Sequence, residues 1–140
     1  MDENVAITEG LALIEKSKTA LLGTIGADGF PKIKAMMNLK HEGLRDIWFS
    51  TNTSSRRVQE LKKDEHACVY YYDDNDFKGL MLTGTVEILR DKESREMLWN
   101  EGAEMFYPLG VDDPDYSVLR FTAYKGNYYH NLKNIDFEID

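Results

Sequence analysis

The feature that most constrains the fold of this chain is a succession of short segments with alternating apolar residues, divided by dipeptides that favour tight turns. Asp28-Gly29 separates two such segments, and Glu42-Gly43 separates the next two. Asp-Gly suits the positive φ angles of a two-residue hairpin turn. Along residues 31–39, alternation places Lys34 and Met36 on one face of a strand and their neighbours on the other. We therefore expect antiparallel hairpins and not a doubly wound parallel sheet.

The expected strands continue to the end of the chain in the same style. Gly84 lies inside a long apolar segment, which indicates a bulge or a bend. The last two strands are expected to be joined by a turn at Lys125-Gly126. Strands are predicted over residues 19–27, 31–39, 46–51, 67–72, 79–89, 116–124 and 127–132.

Three helices are expected between the strands. Thr8 is a candidate cap for the first helix, Thr53 or Ser54 for the second, and Asp91 for the third. Side chains of these types accept hydrogen bonds from the free N–H groups of a first helical turn. The third helix is expected to extend to Met105. A few helices among many antiparallel strands favour a closed barrel or an α+β sheet.

Length and composition limit the possible functions. The 140 residues are enough for one domain, 1–140, with a hydrophobic core. The net charge of −8 argues against nucleic-acid binding, which relies on a basic face. No apolar run approaches the ~18–20 residues that span a bilayer, and the acidic start Met1-Asp2-Glu3-Asn4 lacks a signal-peptide pattern. We therefore expect a cytoplasmic protein with no membrane association.

Cysteine and histidine give little indication of a chemical site. Cys68 is the single cysteine, so neither an intramolecular disulfide nor a cysteine-based metal site is expected. We expect it to be a buried structural thiol within a strand. The three histidines are scattered, without the close-spaced pair typical of a metal site.

The segment Ser50-Thr51-Asn52-Thr53-Ser54-Ser55-Arg56-Arg57 carries the clearest chemistry. It contains five hydroxyl side chains, one amide and two arginines. It lies where a predicted strand ends and a predicted helix begins. Free N–H groups and the helix dipole favour an anion at such a junction, and arginine forms forked bonds to phosphate oxygens. The residues alone support either a phosphate site or a capped helix with arginines that face solvent.

Four segments, in order along nearly the whole chain, resemble the pyridoxamine 5'-phosphate oxidase-like split barrels. They are the hairpin 23–31, the segment Lys34-Ala35-Met36, the stretch 47–57, and Leu82-Thr83-Gly84-Thr85-Val86-Glu87. The subgroup that the chain is most similar to is the bacterial general stress proteins. The resemblance implies a mainly β fold, a six-stranded antiparallel split barrel, and a homodimer with FMN at its interface.

The resemblance also assigns cofactor-binding residues. Lys34, Ala35, Met36 and Met37 would line the flavin ring and the ribityl chain. Ser50, Thr51 and Asn52 would lie at the ribityl-phosphate region. Ser55, Arg56 and Arg57 would hold the phosphate, and Tyr129 would lie near the flavin.

Three departures from the family pattern bear on the reaction. Lys34 stands where many members have arginine, and Gly79 stands where the true oxidases have a glutamine that contacts the flavin. The true oxidases also carry an Arg-x-His substrate motif near the C-terminus, whereas no arginine follows Arg120 here. The absence of this motif argues against pyridoxal phosphate synthesis.

The expected function is therefore that of an FMN-dependent oxidoreductase of unknown substrate, with no side chain assigned as a catalytic acid or base. Two alternatives remain open. One is a non-catalytic flavin-binding or stress protein. The other keeps the fold but binds a deazaflavin or haem; haem would usually need an axial histidine.

Overall fold

The computed structural model describes residues 1–140. Three α-helices and eight β-strands follow one another, with two short 3₁₀ turns, Ala103–Met105 and Gly110–Asp112, before β7. In chain order the elements are α1 (Glu3–Lys16), β1 (Thr19–Ile25), β2 (Pro31–Met37), β3 (Lys40–Glu42), β4 (Asp46–Asn52), α2 (Arg56–Lys63), β5 (His66–Asp73), β6 (Lys78–Leu89), α3 (Lys92–Leu98), β7 (Tyr116–His130) and β8 (Lys133–Glu138).

All the strands belong to one antiparallel sheet that curls into a half-barrel. Its order is β2-β1-β5-β6-β7-β4-β3, and β8 pairs with the C-terminal half of β7. The turn between β1 and β2 contains Gly29, whose φ of 84° lies in the left-handed region that glycine tolerates. The predicted mainly β, antiparallel split barrel is confirmed.

The structure has eight strands and not six, and the two that were not predicted are the short strands β3 and β8. Residues 116–130 form one continuous strand, and no turn occurs at Lys125-Gly126. Gly126 instead leaves room for an aromatic ring, since a Cβ there would lie 2.4 Å from Cζ of Phe137. The reversal occurs at Asn131 and Leu132, which have positive φ angles, and it adds the extra strand β8.

The expected irregularity at Gly84 is confirmed. The register between β6 and β7 shifts between Thr83 and Gly84. A Cβ at residue 84 would lie 1.8 Å from the carbonyl oxygen of Thr122. Only glycine allows the two backbones to approach this closely.

Two of the predicted helix caps are wrong, and the third is confirmed. α1 begins before Thr8, with Asp2 accepting a 2.9 Å hydrogen bond from the N–H of Val5. α2 is capped by Ser55 and not by Thr53 or Ser54, because those two residues contact the loop before β7. Asp91 caps α3 as expected.

α3 is shorter than predicted. It ends at Leu98, and Met105 lies in the separate 3₁₀ turn Ala103–Met105. Gly102, with a φ of 90°, starts that turn in the left-handed region, which a continuing helix does not use.

The sheet has two apolar layers. The main core fills the concave side of the half-barrel and includes Leu22, Phe49, Tyr71 and Phe121, with α1 packed against it. A smaller core on the opposite side of β4 and β7 lies under α3 and the 3₁₀ turns, where it includes Trp48. No helix is long and apolar enough to cross a membrane.

Candidate functional site

Curling of the sheet creates a cavity at the seam where the half-barrel fails to close. β2 is the first strand in the sheet order and β4 is the sixth, so only the curl brings the two together. The cavity has a volume of about 250 Å³. Nine of the eleven predicted cofactor-binding residues line it: Lys34, Ala35, Met36, Met37, Ser50, Thr51, Asn52, Ser55 and Arg57.

The strand-to-helix junction fixes the hydroxyl groups at one end of this cavity. The Ser55 hydroxyl accepts a 3.3 Å bond from the N–H of Val58 and so caps α2. The Thr51 hydroxyl donates a 3.2 Å bond to the Ser55 oxygen. The first turn of α2 therefore begins at the cavity, with the partial positive charge of a helix N-terminus.

Two cations border the cavity and form no ion pair. Lys34 comes from β2 and Arg57 from α2, and neither has a carboxylate within 4.0 Å. In a chain of net charge −8, unpaired cations on two separate elements give this cavity a local positive charge. This arrangement suits an anionic group.

Asp115 anchors the junction to the loop that precedes β7. Its carboxylate accepts bonds from the N–H of Ser54 (2.9 Å) and the side-chain amide of Asn52 (2.8 Å). These bonds hold the pKa of Asp115 below its ordinary value of 3.8, the Ser54 N–H contributing most. Asn52 lies at the cavity as predicted, but one of its amide hydrogens is committed to this structural bond.

Two aromatic residues at the cavity were not predicted. Phe106 and Tyr107 lie in the loop between the 3₁₀ turns and complete the cavity wall. Tyr107 is buried, and its ring centroid lies 4.7 Å from that of Tyr116. Burial raises the pKa of the Tyr107 hydroxyl, while the nearby Ser50 hydroxyl acts in the opposite direction. The aromatic pair before Pro108 was the available signal, but a loop has no periodicity from which to infer its position.

Two predicted residues lie away from the cavity. Arg56 is exposed on α2 and is not part of the cavity lining. Tyr129 lies on β7 and lines a different depression, of about 370 Å³, on the outer side of the sheet. Within one chain, the structure therefore does not bring Tyr129 together with the other candidates.

We call that depression the aromatic cleft and define it by the residues that line it. They are Leu21, Tyr70, Tyr72, Asp73, Asp74, Phe77, Lys78 and Tyr129. The position of Gly79 is explained here, because a Cβ at residue 79 would lie 2.1 Å from the Tyr70 hydroxyl. Gly79 thus leaves room for the Tyr70 ring beside β6.

Cys68 lies on the same outer side of β5 as Tyr70. It is half-buried, and so it is more accessible than the buried structural thiol expected from the sequence. Burial raises its pKa, and a weaker opposing effect comes from the backbone N–H of Gly23. A raised pKa disfavours the thiolate form, which is the reactive one.

Comparison with known proteins gives the family. The family model described as "Pyridoxamine 5'-phosphate oxidase like" matches residues 6–138, and the chain therefore belongs to this family. A structure from Clostridium acetobutylicum, described as a protein related to general stress protein 26 of B. subtilis, is 57% identical in sequence. The alignment covers 100% of this chain and 98% of that one, with a TM-score of 0.89.

Two further proteins are more distant. Protein bli-3 of Neurospora crassa is 26% identical over 98 residues, which are 64% of this chain and 47% of that protein, so the match spans about half of its length. The structure of a heme binding protein from Mycobacterium smegmatis has a TM-score of 0.77 at 14% identity, covering 95% of this chain and 57% of that one. At that identity the similarity concerns the fold.

Proposed function

We propose that the cavity binds FMN and that the protein is an FMN-dependent oxidoreductase. The observation that supports this most is the position of two cations beside the capped N-terminus of α2. They are Lys34 on β2 and Arg57 on α2, and neither forms an ion pair. A terminal phosphate needs such convergent positive charge and N–H or hydroxyl donors. Membership of the pyridoxamine 5'-phosphate oxidase-like family agrees with a flavin phosphate as the anion.

The other side chains at the cavity suit the remainder of that cofactor. Ser50 and Thr51 offer hydroxyl groups next to the phosphate end, where they would hydrogen-bond the ribityl chain. Met36, Met37 and Phe106 offer apolar surface to a flat aromatic ring. FMN, when bound, supplies electron or hydride transfer, while the protein positions it and limits its exposure to water.

We further propose a homodimer with the cofactor at its interface. The outer surface of β1, β2, β5 and β6 exposes a series of apolar side chains, and Ile33 on the edge strand β2 is 73% exposed. Contiguous apolar surface of this kind is typical of a protein interface. A second copy on this surface would bring its own Tyr129 towards the cavity, in agreement with the role implied for Tyr129 by the family resemblance. We expect light scattering to give twice the monomer mass of 16.2 kDa, and Ile33→Glu to give the monomer.

Haem is the second candidate cofactor, because a structural neighbour is described as a heme binding protein. The cavity lining contains no histidine, and His41, His66 and His130 lie elsewhere. A deazaflavin with a longer acidic tail would require more cationic groups than Lys34 and Arg57 provide. The donor set therefore favours FMN over both.

The experiment that tests the proposal is a titration of the purified protein with FMN and with haem, followed by visible absorption. We expect saturable FMN binding with flavin bands near ~450 nm and no stoichiometric haem complex. Stopped-flow mixing with a reduced nicotinamide then separates an enzyme from a passive flavin carrier. A protein that ignores FMN, or that prefers haem, contradicts the proposal.

A further inference from the structure

We propose that the aromatic cleft is a binding subsite for organic cations, and that organic cations are the substrate class of the flavin site. The second half of this statement rests on the proposed function. The first half concerns side chains of one chain and stands without it. Three features of the cleft support the proposal: its rings, its charge and its backbone.

The cleft presents four aromatic rings around one opening. Tyr70 and Tyr72 lie parallel on β5, with centroids 6.1 Å apart and an angle of 16° between the rings. Phe77 and Tyr129 meet edge to face, with centroids also 6.1 Å apart. Aromatic faces attract a cation within ~6 Å of the ring centroid, and several rings around one opening are typical of quaternary ammonium sites.

The charge at the opening is negative. Asp74 lines the cleft and forms no ion pair. Asp73 is paired with Lys16, and hydrogen bonding from that lysine lowers the pKa of Asp73. Lys78 has carboxylates on both sides, Glu9 and Asp76, each 3.7 Å from its Nζ. Carboxylates therefore outnumber ammonium groups, and the positive groups present are already paired.

The backbone conformation of Phe77 is unusual. Its φ of 50° lies in the left-handed region, which bulky residues rarely adopt. Its side chain is nevertheless 72% exposed, so core packing does not account for this conformation. Residues held in sparsely populated backbone conformations cluster at ligand-binding and other functional sites.

The same features disfavour an anionic substrate. The cleft offers no free cation to a phosphate, because Lys78 is shared between two carboxylates. If a second copy places Tyr129 beside the flavin, the rest of the cleft arrives with it, since Tyr72 and Tyr129 are both paired with Gly79 across β5, β6 and β7. An aromatic, acidic wall would then face the cofactor, and it would select positively charged organic molecules.

The test is a pair of matched probes, benzyltrimethylammonium and phenylmethanesulfonate, titrated into FMN-free and FMN-loaded protein and followed by NMR. Both probes carry the same phenyl group and differ in the sign of the charge. We expect the cation to bind at least about 10-fold more tightly than the sulfonate in both forms of the protein. Phe77→Leu, which keeps apolar volume but removes the ring, and Asp74→Asn should each weaken cation binding by about 5- to 30-fold.

Tyr124→Ala is the matched control, because Tyr124 is an exposed tyrosine on β7 outside the cleft. It should leave the affinity for the cation unchanged. Equal affinity for the two probes, or equal effects of Phe77→Leu and Tyr124→Ala, would overturn the subsite. Cation binding that is lost on loading with FMN would overturn the assignment of the substrate class. Cation binding in a protein that never binds FMN would leave the subsite standing and remove the proposed function.

Discussion

The seam cavity and the aromatic cleft lie on one curled sheet and have opposite chemistry. The cavity joins two unpaired cations to a capped helix N-terminus. The cleft joins four aromatic rings to an unpaired carboxylate. The net charge of −8 does not predict the cavity, since it would suggest that anions are repelled everywhere. Local pairing of charges, and not their sum, determines what each surface can bind.

The two regions also differ in how they are built. At the cavity, the strand-to-helix junction is fixed by hydrogen bonds of Ser55 and Asp115 within one chain. The cleft is an open surface, and its rings range from half-buried Tyr129 to Phe77, which is 72% exposed. We infer that the cavity contacts the cofactor, which stays bound, while the cleft contacts the substrate, which is converted during turnover.

The largest effect is expected from reversing the charge of the cavity. Lys34→Glu combined with Arg57→Glu should lower the FMN affinity by about 10²- to 10⁴-fold, because two charge-assisted contacts are lost and replaced by repulsion. Isothermal calorimetry with FMN measures this. Arg56→Glu combined with Lys62→Glu is the control, since it changes the net charge equally at exposed positions of α2 outside the cavity. Similar losses of FMN affinity in both double variants would show that the net charge of the protein, and not the two cations of the cavity, determines the binding of the anion.

A smaller effect is expected from filling the space over Gly79. Gly79→Ala should displace the Tyr70 ring, because the new Cβ would lie 2.1 Å from its hydroxyl. We expect cation affinity at the cleft to fall by about 3- to 10-fold, with an unchanged melting temperature. Adding Tyr70→Phe should restore only part of the affinity, because the hydroxyl is then gone but the ring carbon Cζ remains 2.6 Å from the new Cβ. An unchanged cation affinity in Gly79→Ala would show that the Tyr70 ring does not shape the cleft.

Removal of the Asp115 anchor tests whether the cavity is pre-organised. Asp115→Ala should lower the melting temperature by about 2–4 °C, because the N–H of Ser54 and the amide of Asn52 lose their acceptor. Asp112→Ala is the control, since Asp112 makes only a 4.0 Å contact with Arg95. A melting temperature that is equally low in both variants would contradict a specific anchoring role.

The same anchor predicts a pH dependence. The pKa of Asp115 is lower in the folded state than its ordinary value of 3.8. Its stabilising contribution is therefore present above that value and is lost as the pH falls through the folded-state pKa. The difference in stability between the wild type and Asp115→Ala should shrink when unfolding is measured below about pH 3.8.

The smallest effect is expected at the unpredicted wall of the cavity. Tyr107→Phe keeps the ring packed against Tyr116 but removes the hydroxyl near Ser50. We expect FMN affinity to fall by about 2- to 5-fold, as for one neutral hydrogen bond. Fluorescence titration checks this, with Tyr124→Phe as the control. An unchanged affinity would limit Tyr107 to a packing role.

The sequence predicted the parts that local chemistry determines. Turn dipeptides and alternation located β1, β2 and β4, and hydroxyls followed by arginines located the junction within residues 50–57, although not its capping residue, Ser55. The family resemblance then supplied the expectation that β2 and β4 meet, which alternation alone does not contain, because β2 and β4 are remote in the sheet order.

The wrong predictions share a cause. Each rested on the usual local role of a residue type, and contacts with a remote part of the chain gave the residue another role. Gly126 was expected in a turn, but it makes room for Phe137 from the next strand. Thr53 and Ser54 were candidate caps, but they contact the loop that contains Asp115. Arg56 and Arg57 are a different case, because their roles as phosphate ligands stay predictions; of the two, Arg57 lines the cavity in one chain and Arg56 does not.

We expect the seam cavity to bind the phosphate of FMN, and a comparison of FMN with riboflavin is the direct test. The affinities of FMN and of riboflavin, which lacks the phosphate, are measured for the wild type, Arg57→Ala and Arg56→Ala. The account predicts that Arg57→Ala weakens FMN binding by about 10- to 150-fold, leaves riboflavin binding unchanged, and so brings the two ligands close together, while Arg56→Ala changes neither. An equal effect of Arg57→Ala on FMN and riboflavin, or no preference of the wild type for FMN, would contradict it.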